Sequence, residues 1–172
     1  MVVSGFDLFG GESIKSIQKG SVYTSGISNT INVNKVDRDK SLVLVDTICD
    51  DPTVTYGRIG VIATLQSDTT LFLERNAIAD NKPANINWTI IEFSDVKSFQ
   101  KGNFISNSLN QSVPISTIDP SKSLVVFSYI TNFSGLDVAV GIHQSNLTSN
   151  TIEFVRKQGT VFTFHYQVIE FK

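Results

Sequence analysis

The sequence contains one pattern twice, and this duplication is the feature that most limits how the chain can fold. SIKSIQKG, at residues 13–20, recurs in altered form as DVKSFQKG at residues 95–102, which is 82 positions later. The same offset of 82 places VDRDKSLVLV (36–45) on IDPSKSLVVF (118–127). Two matching blocks at one spacing indicate that a single structural unit has been duplicated.

The end of each copy is marked by a third matching block. WTIIEF (88–93) corresponds to YQVIEF (166–171) at an offset of 78 instead of 82, so the second copy lacks four residues in its loops, where such changes are tolerated. We therefore predict unit 1 at residues 14–93 and unit 2 at residues 96–172, with a separate arm at residues 1–13. A linker as short as the two residues between the units favours a fixed interface over free rotation.

Each unit contains six segments with the composition of β-strands. They are rich in Val, Ile, Thr, Phe and Tyr, and most are separated by residues that favour turns. The segments are SVYTSG, TINVNKV, SLVLVDTI, RIGVIATLQ, TTLFLER and NINWTIIEF in unit 1, and NFISNS, SVPISTI, SLVVFSYIT, LDVAVGIHQ, TIEFVR and TVFTFHYQVIEF in unit 2. Because helical crossovers that could join parallel strands are missing, we predict an all-β fold of two tandem antiparallel β-sandwich or jelly-roll-like units.

The small size of each unit predicts assembly. A sandwich of this size has a thin core and exposed edge strands, and both are commonly stabilised by pairing modules or subunits. We therefore expect a homo-oligomer, with a trimer as one expected form.

Composition and charge exclude several partners. Fourteen basic and sixteen acidic residues give a net charge of -2 without a block of like charge, so we expect neither nucleic acid nor a membrane as partner. The single cysteine, Cys49, cannot form an intrachain disulfide or a cysteine-based zinc site. The first residues lack the pattern of a signal peptide, so we expect synthesis in a cytoplasm.

The sequence lacks the motifs of a catalytic or cofactor site, and we predict a non-enzyme without a metal or cofactor. His143 and His165 fall at ordinary strand positions, and Asp37 is expected to accept backbone N–H groups in a turn. Glu92 and Glu170 recur in both copies, which raises the hypothesis of a glycosidase-like carboxylate pair. Duplicated carboxylates should share one environment, however, whereas acid and base catalysts need different ones.

The repeated QKG triplets (18–20 and 100–102) are interpreted as the end of the first strand, where glycine would adopt a positive φ or form a bulge. An alternative gives the repeated lysines a function. Two lysines in each unit would then form a polar docking patch for a partner or for sugar hydroxyls. These are Lys19 and Lys40 in unit 1, and Lys101 and Lys122 in unit 2.

The arm at residues 1–13 lies outside the duplication and carries five apolar side chains on a Gly- and Ser-rich background. These candidate partner-binding residues are Val2, Val3, Phe6, Leu8 and Phe9. Because such side chains are unfavourable in water, we expect them to be buried. The arm would either add a strand to its own sandwich or anchor the chain on a neighbouring protein.

The repeated blocks resemble a β-rich module that is common among tailed-phage virion proteins. The blocks that carry the resemblance are residues 14–20, 40–45, 69–75 and 88–93, with second copies at 96–102, 122–127, 151–156 and 166–171. The second copy departs from the pattern at Tyr166, which replaces Trp88, and at Pro120, which replaces Arg38. The resemblance implies a non-enzymatic capsid decoration, head-fibre, collar or tail protein that binds other virion proteins and resides in the virion.

A second hypothesis is a carbohydrate- or receptor-binding module for host surface glycans. Aromatic side chains would then serve as stacking platforms, and two units would add avidity. The candidate platforms are Tyr23, Tyr56, Trp88 and Tyr129.

Overall fold

The computed structural model describes residues 14–48, 60–75, 83–131, 142–156 and 161–172, and these residues form twelve β-strands. Unit 1 contains β1 (Ile14–Thr24), β2 (Ser28–Asn32), β3 (Ser41–Ile48), β4 (Val61–Ser67), β5 (Thr70–Arg75) and β6 (Ala84–Phe93). Unit 2 contains β7 (Ser98–Ser106), β8 (Asn110–Pro114), β9 (Ser123–Thr131), β10 (Ile142–Leu147), β11 (Thr151–Arg156) and β12 (Phe162–Glu170). One-turn 3-10 helices, Arg38–Lys40 and Pro120–Lys122, precede β3 and β9. The prediction of an all-β fold is confirmed.

The two units have the same topology. Unit 1 pairs its strands in two three-stranded antiparallel sheets, β1-β6-β3 and β2-β5-β4. Unit 2 repeats this arrangement as β7-β12-β9 and β8-β11-β10. Each unit is therefore a small sandwich in which its last strand is the centre of the first sheet.

Alternating burial along β6 shows how these sequences choose their faces. Ile86, Trp88 and Ile90 are buried in the core of unit 1, while the residues between them are partly exposed on the other face of the sheet. Unit 2 fills the equivalent core with aromatic rings, and Phe104 stacks on Phe164 at a centroid distance of 4.7 Å. The duplication has preserved the backbone arrangement while the core side chains have changed.

Gly20 and Gly102 show that the interpretation of the QKG triplets was wrong. Both glycines lie inside long strands, paired with Trp88 and Tyr166 of the central strand, and neither has a φ in the left-handed region. A Cβ atom on Gly20 would lie 2.4 Å from Cζ2 of Trp88, and one on Gly102 would lie 2.5 Å from Oη of Tyr166. Glycine is required in both copies because an aromatic side chain packs directly over it.

Replacing either glycine by alanine should destabilise the protein. We expect Gly20→Ala and Gly102→Ala each to lower the free energy of unfolding by about 1–3 kcal/mol, because the ring must shift to admit the methyl group. Gly26→Ala is the matched control. Gly26 is exposed, and the atom nearest to a Cβ added there is Oγ1 of Thr24, at 3.2 Å. Urea unfolding followed by circular dichroism measures the differences. Equal losses for Gly20→Ala and Gly26→Ala would contradict this explanation.

Candidate functional site

A buried carboxylate joins three segments of the first sheet in unit 1. Glu92 of β6 is 2% exposed and accepts a hydrogen bond from Nζ of Lys15 at 2.7 Å. It also accepts bonds from Oγ of Ser16 at 2.9 Å and from the backbone N–H of Asp37 at 3.0 Å. The start of β1, the turn before β3 and the end of β6 are thereby fixed to one another.

Unit 2 repeats this cluster atom for atom. Glu170 of β12 is buried and accepts bonds from Nζ of Lys97 at 2.7 Å, Oγ of Ser98 at 3.1 Å and the N–H of Asp119 at 2.8 Å. Asp119 caps the following 3-10 turn by accepting from the N–H of Ser121, as Asp37 does in unit 1. The predicted role of Asp37 as a turn acceptor is confirmed.

Both carboxylates have a pKa below the ordinary value of glutamate, which favours the ionised form. Burial acts to raise the pKa of Glu92, but the hydrogen bonds from Lys15, from the backbone of Asp37 and from Ser16 outweigh it, so the pKa lies below its ordinary value. The pKa of Glu170 is lowered by the same balance of causes. A general acid needs a raised pKa, so these environments do not favour the hypothesis of a glycosidase-like pair.

Removing either carboxylate should reduce stability. We expect Glu92→Ala and Glu170→Ala each to lower the free energy of unfolding by about 2 kcal/mol, because partly buried donors lose their acceptor. Lys15→Met should cause a much smaller loss, since the ammonium group is exposed to water. Chemical unfolding of the three variants provides the measurement. If loss of Glu92 left stability unchanged, its role would not be structural.

A second duplicated contact holds the turn that leads to each Asp. The side-chain amide of Gln18 accepts from the N–H of Asn34 at 2.8 Å and donates to its carbonyl oxygen at 2.9 Å. Gln100 makes the same two bonds with Ser116, at 2.7 and 3.0 Å. The glutamine of each QKG triplet therefore serves the fold of its own unit.

Two polar contacts across the interface between the units are made by residues of unit 2 that differ from their counterparts in unit 1. The amide of Gln167 in β12 accepts from the backbone N–H of Val43 at 3.0 Å and donates to its carbonyl oxygen at 2.8 Å. This side chain pairs with the outer edge of β3, which has β6 on its other side. Beside it, Nδ1 of His165 and Oγ1 of Thr64 share a hydrogen bond of 3.0 Å.

Apolar side chains of both units complete this interface. Phe93 and Phe171 meet edge to face at a centroid distance of 5.5 Å, in a cluster with buried Leu42 and Ile169. Edge-to-face rings add specific geometry to the burial of apolar area. The two sandwiches are therefore packed against each other.

A cleft of about 240 Å³ opens along the interface. Its walls are largely apolar, and its polar groups include two cations, an imidazole and two amides. Lys101 lies 3.6 Å from a carboxylate oxygen of Asp39 and donates to the carbonyl oxygen of Arg38 at 3.5 Å. The cleft could hold a small polar ligand by stacking and hydrogen bonding. Its principal lining residues are Arg38, Phe99, Lys101, Asn103, His165 and Tyr166.

His165 makes the interface sensitive to acid. Burial lowers the pKa of the imidazole below its ordinary value, because the charged form loses hydration. The folded state therefore holds His165 neutral over a pH range in which the unfolded chain takes up a proton. The free energy of unfolding therefore has its full value above the pKa that His165 has in the unfolded chain. It decreases as the pH falls from there through the lower pKa that His165 has in the folded protein.

We therefore expect the free energy of unfolding to decrease as the pH falls below about 6.5, the ordinary pKa of histidine. His165→Asn, which introduces the residue that unit 1 has at this position in Asn87, should weaken this dependence. His143→Asn is the control at the other histidine. Urea unfolding at pH 7 and pH 5 gives the comparison. An unchanged pH dependence in His165→Asn would show that other groups are responsible.

Not all of the residues singled out in the sequence fall within the described structure. The arm residues Val2, Val3, Phe6, Leu8 and Phe9, together with Cys49 and Tyr56, lie outside it. His143 lies in β10, as expected for a strand position. Trp88 is buried over Gly20 and does not offer its ring to a ligand, and Tyr129 is partly buried, which raises its pKa. Tyr23 is 66% exposed.

Within the described ranges, no group of three His, Cys, Asp or Glu side chains could hold a metal ion. Over the same part of the chain, the structure contains no helix with the length and hydropathy needed to cross a bilayer.

Fold and site together define a class, that of tandem β-sandwich proteins whose repeated Glu, Ser, Gln and Asp side chains form hydrogen bonds within their own units. Comparison of the chain with protein-family models, with curated proteins and with solved structures found no match.

Proposed function

We propose that the protein is a non-enzymatic structural component of a bacteriophage virion, such as a capsid decoration, head-fibre, collar or tail protein. It would act through contacts with other virion proteins and with further copies of itself. The observation that carries this proposal is how the polar residues shared by both units are used. Their Glu, Ser, Gln and Asp groups form hydrogen bonds within the chain, whereas several large apolar side chains are exposed on the surface.

The exposed apolar side chains support a role in binding other proteins. The outer surface of sheet β1-β6-β3 carries Ile17, Tyr23 and Ile48, all of which are exposed. Burial of such side chains is what a protein interface contributes to binding. Two sandwiches fixed to each other would present this surface in a constant orientation, which suits a component of a regular particle.

Binding of the purified protein to phage virions tests the proposal. Virions from a phage mutant that lacks this chain should bind the purified full-length protein in a saturable way, after separation on a density gradient and quantification by mass spectrometry. Wild-type virions should already contain the chain in a fixed copy number. If wild-type virions contained none of it, and mutant particles took up none, the proposal would be wrong.

The cleft between the units favours a second candidate, a module that binds host surface glycans. The ring of Phe99 adjoins the amides of Asn103 and Gln167 there, a combination that fits the face and hydroxyls of a sugar. Binding to host cells should then be lost in Asn103→Ala and retained in Tyr23→Ala. Absence of binding to any host cell at high protein concentration would exclude this function.

A further inference from the structure

The two units contact each other through different surfaces. Unit 2 contributes the outer face of its sheet β7-β12-β9, through Gln167 and His165 of the central strand. Unit 1 contributes its edge side, which we define as the edge strands β3 and β4 with the side chain of Leu42, which lies where the outer face of sheet β1-β6-β3 meets this edge. The contact is therefore heterologous, because an outer face packs on an edge side.

The duplication makes it possible to compare each surface with its uncovered copy. Leu42, on the edge side of unit 1, is 2% exposed, whereas its counterpart Leu124 in unit 2 is 42% exposed. Both residues hold the same place in their sheets, opposite Ile91 and Ile169 respectively. The edge side of unit 2 is therefore an uncovered copy of a surface that unit 1 buries.

On the outer face, the buried residues belong to unit 2 and their exposed counterparts belong to unit 1. Ile130 of unit 2 is 8% exposed, whereas its counterpart Ile48 in unit 1 is 51% exposed. Phe99 of unit 2 packs into the cluster between the units, whereas its counterpart Ile17 is 50% exposed. Around Ile17 and Ile48 the outer face of unit 1 is thus an uncovered copy of the surface with which unit 2 binds unit 1, whereas Ile91 and Phe93 at the end of β6 pack in the cluster between the units.

We propose that the outer face of unit 1 binds the edge side of unit 2 of a second copy of this chain, so that the protein assembles head to tail. The contact between the units would then be repeated between chains, except for the ring of Phe93, which is already buried against Phe171 within the chain. A heterologous contact of this kind produces a closed ring when its rotation closes and a filament when it does not. The inference rests on the proposed function as far as self-assembly is concerned, and it names the surfaces.

The polar residues of the two open surfaces suit this contact. Thr89 and Asn87 of unit 1 take the places of Gln167 and His165, so neutral hydrogen-bonding groups would face the outer edge of β9. Burying such groups against a strand edge is favourable when they form hydrogen bonds, whereas a buried charge would be costly. The same face carries Asp46 on edge strand β3, opposite Asn87, where unit 2 has Ser128. This exposed carboxylate would have to stay at the solvated rim of the contact.

The one cation of this face also has a defined acceptor. Lys101 of unit 2 donates to the carbonyl oxygen of Arg38, the first residue of the 3-10 turn before β3. Its counterpart in unit 1 is Lys19, and the first residue of the equivalent turn in unit 2 is Pro120. A backbone carbonyl is present in both cases, so replacement of Arg38 by Pro120 leaves the acceptor in place.

The test uses the full chain with one charge placed on either surface. Ile17→Glu alters the outer face of unit 1, and Leu124→Glu alters the edge side of unit 2. Both side chains are about half exposed, so the variants should fold, which circular dichroism and thermal unfolding will verify. Ile105→Glu is the matched control, because Ile105 is 71% exposed on the covered face of unit 2 and lies outside both open surfaces.

Sedimentation velocity and light scattering over a range of concentrations give the readout. We expect wild type and Ile105→Glu to exceed the mass of one chain, 18.9 kDa. Each of the other variants should raise the dissociation constant by at least about tenfold. An equimolar mixture of Ile17→Glu and Leu124→Glu should form a complex of two chains that grows no further, because each variant keeps the surface that the other lacks.

Four results would overturn the inference. They are a monomeric wild type at millimolar concentration, association that survives both charges, association lost equally in Ile105→Glu, and a mixture that forms no complex. If association instead disappeared on removal of residues 1–13 alone, self-assembly would belong to the arm. Virions that lack the chain while the purified protein assembles would refute the virion role and leave this inference standing.

Discussion

The buried carboxylate at the end of the central strand is the interaction on which each unit depends. Glu92 accepts from the start of β1 and from the turn before β3, so one side chain fixes the relative positions of all three strands of its sheet. The residue after it, Phe93, points into the cluster between the units. A fixed end of β6 therefore sets both the register inside the unit and the position of the ring that contacts Phe171.

Burying a carboxylate is costly, and the structure meets this cost mainly with hydrogen bonds. The ammonium group of Lys15 is exposed, so ion pairing by itself contributes little. The Ser16 hydroxyl and the Asp37 N–H are partly buried donors that need an acceptor in any case. A carboxylate that satisfies such donors selects one strand register, since a shift by one residue would turn Glu92 to the opposite face.

The sequence was sufficient for the fold but not for the contacts. The all-β prediction is confirmed because alternation and turn residues are local signals, and the turn at Asp37 was readable for the same reason. The role of Gly20 was not readable, because the ring that packs over it lies 68 positions away in Trp88. Lys15 and Ser16 stood in the repeated block, but only strand pairing shows that Glu92 is their acceptor.

The residues that differ between the copies carry the information about assembly, and a search for repeats passes over them. Gln167 replaces Thr89 and binds the backbone of Val43, and His165 replaces Asn87 and binds Thr64. After duplication, a contact within a unit is needed in both copies, so its residues are retained in both. The contact between the units forms once, so each of its two surfaces is needed in one copy alone. Identity of the Glu, Ser, Gln and Asp groups therefore marks what folds a unit. The contact between the units uses divergent residues, such as Gln167 and His165, together with the identical pair Phe93 and Phe171. If Thr89 and Asn87 face the outer edge of β9 in another chain, they face a different surface from the one that Gln167 and His165 contact. This would explain why the two pairs of residues differ.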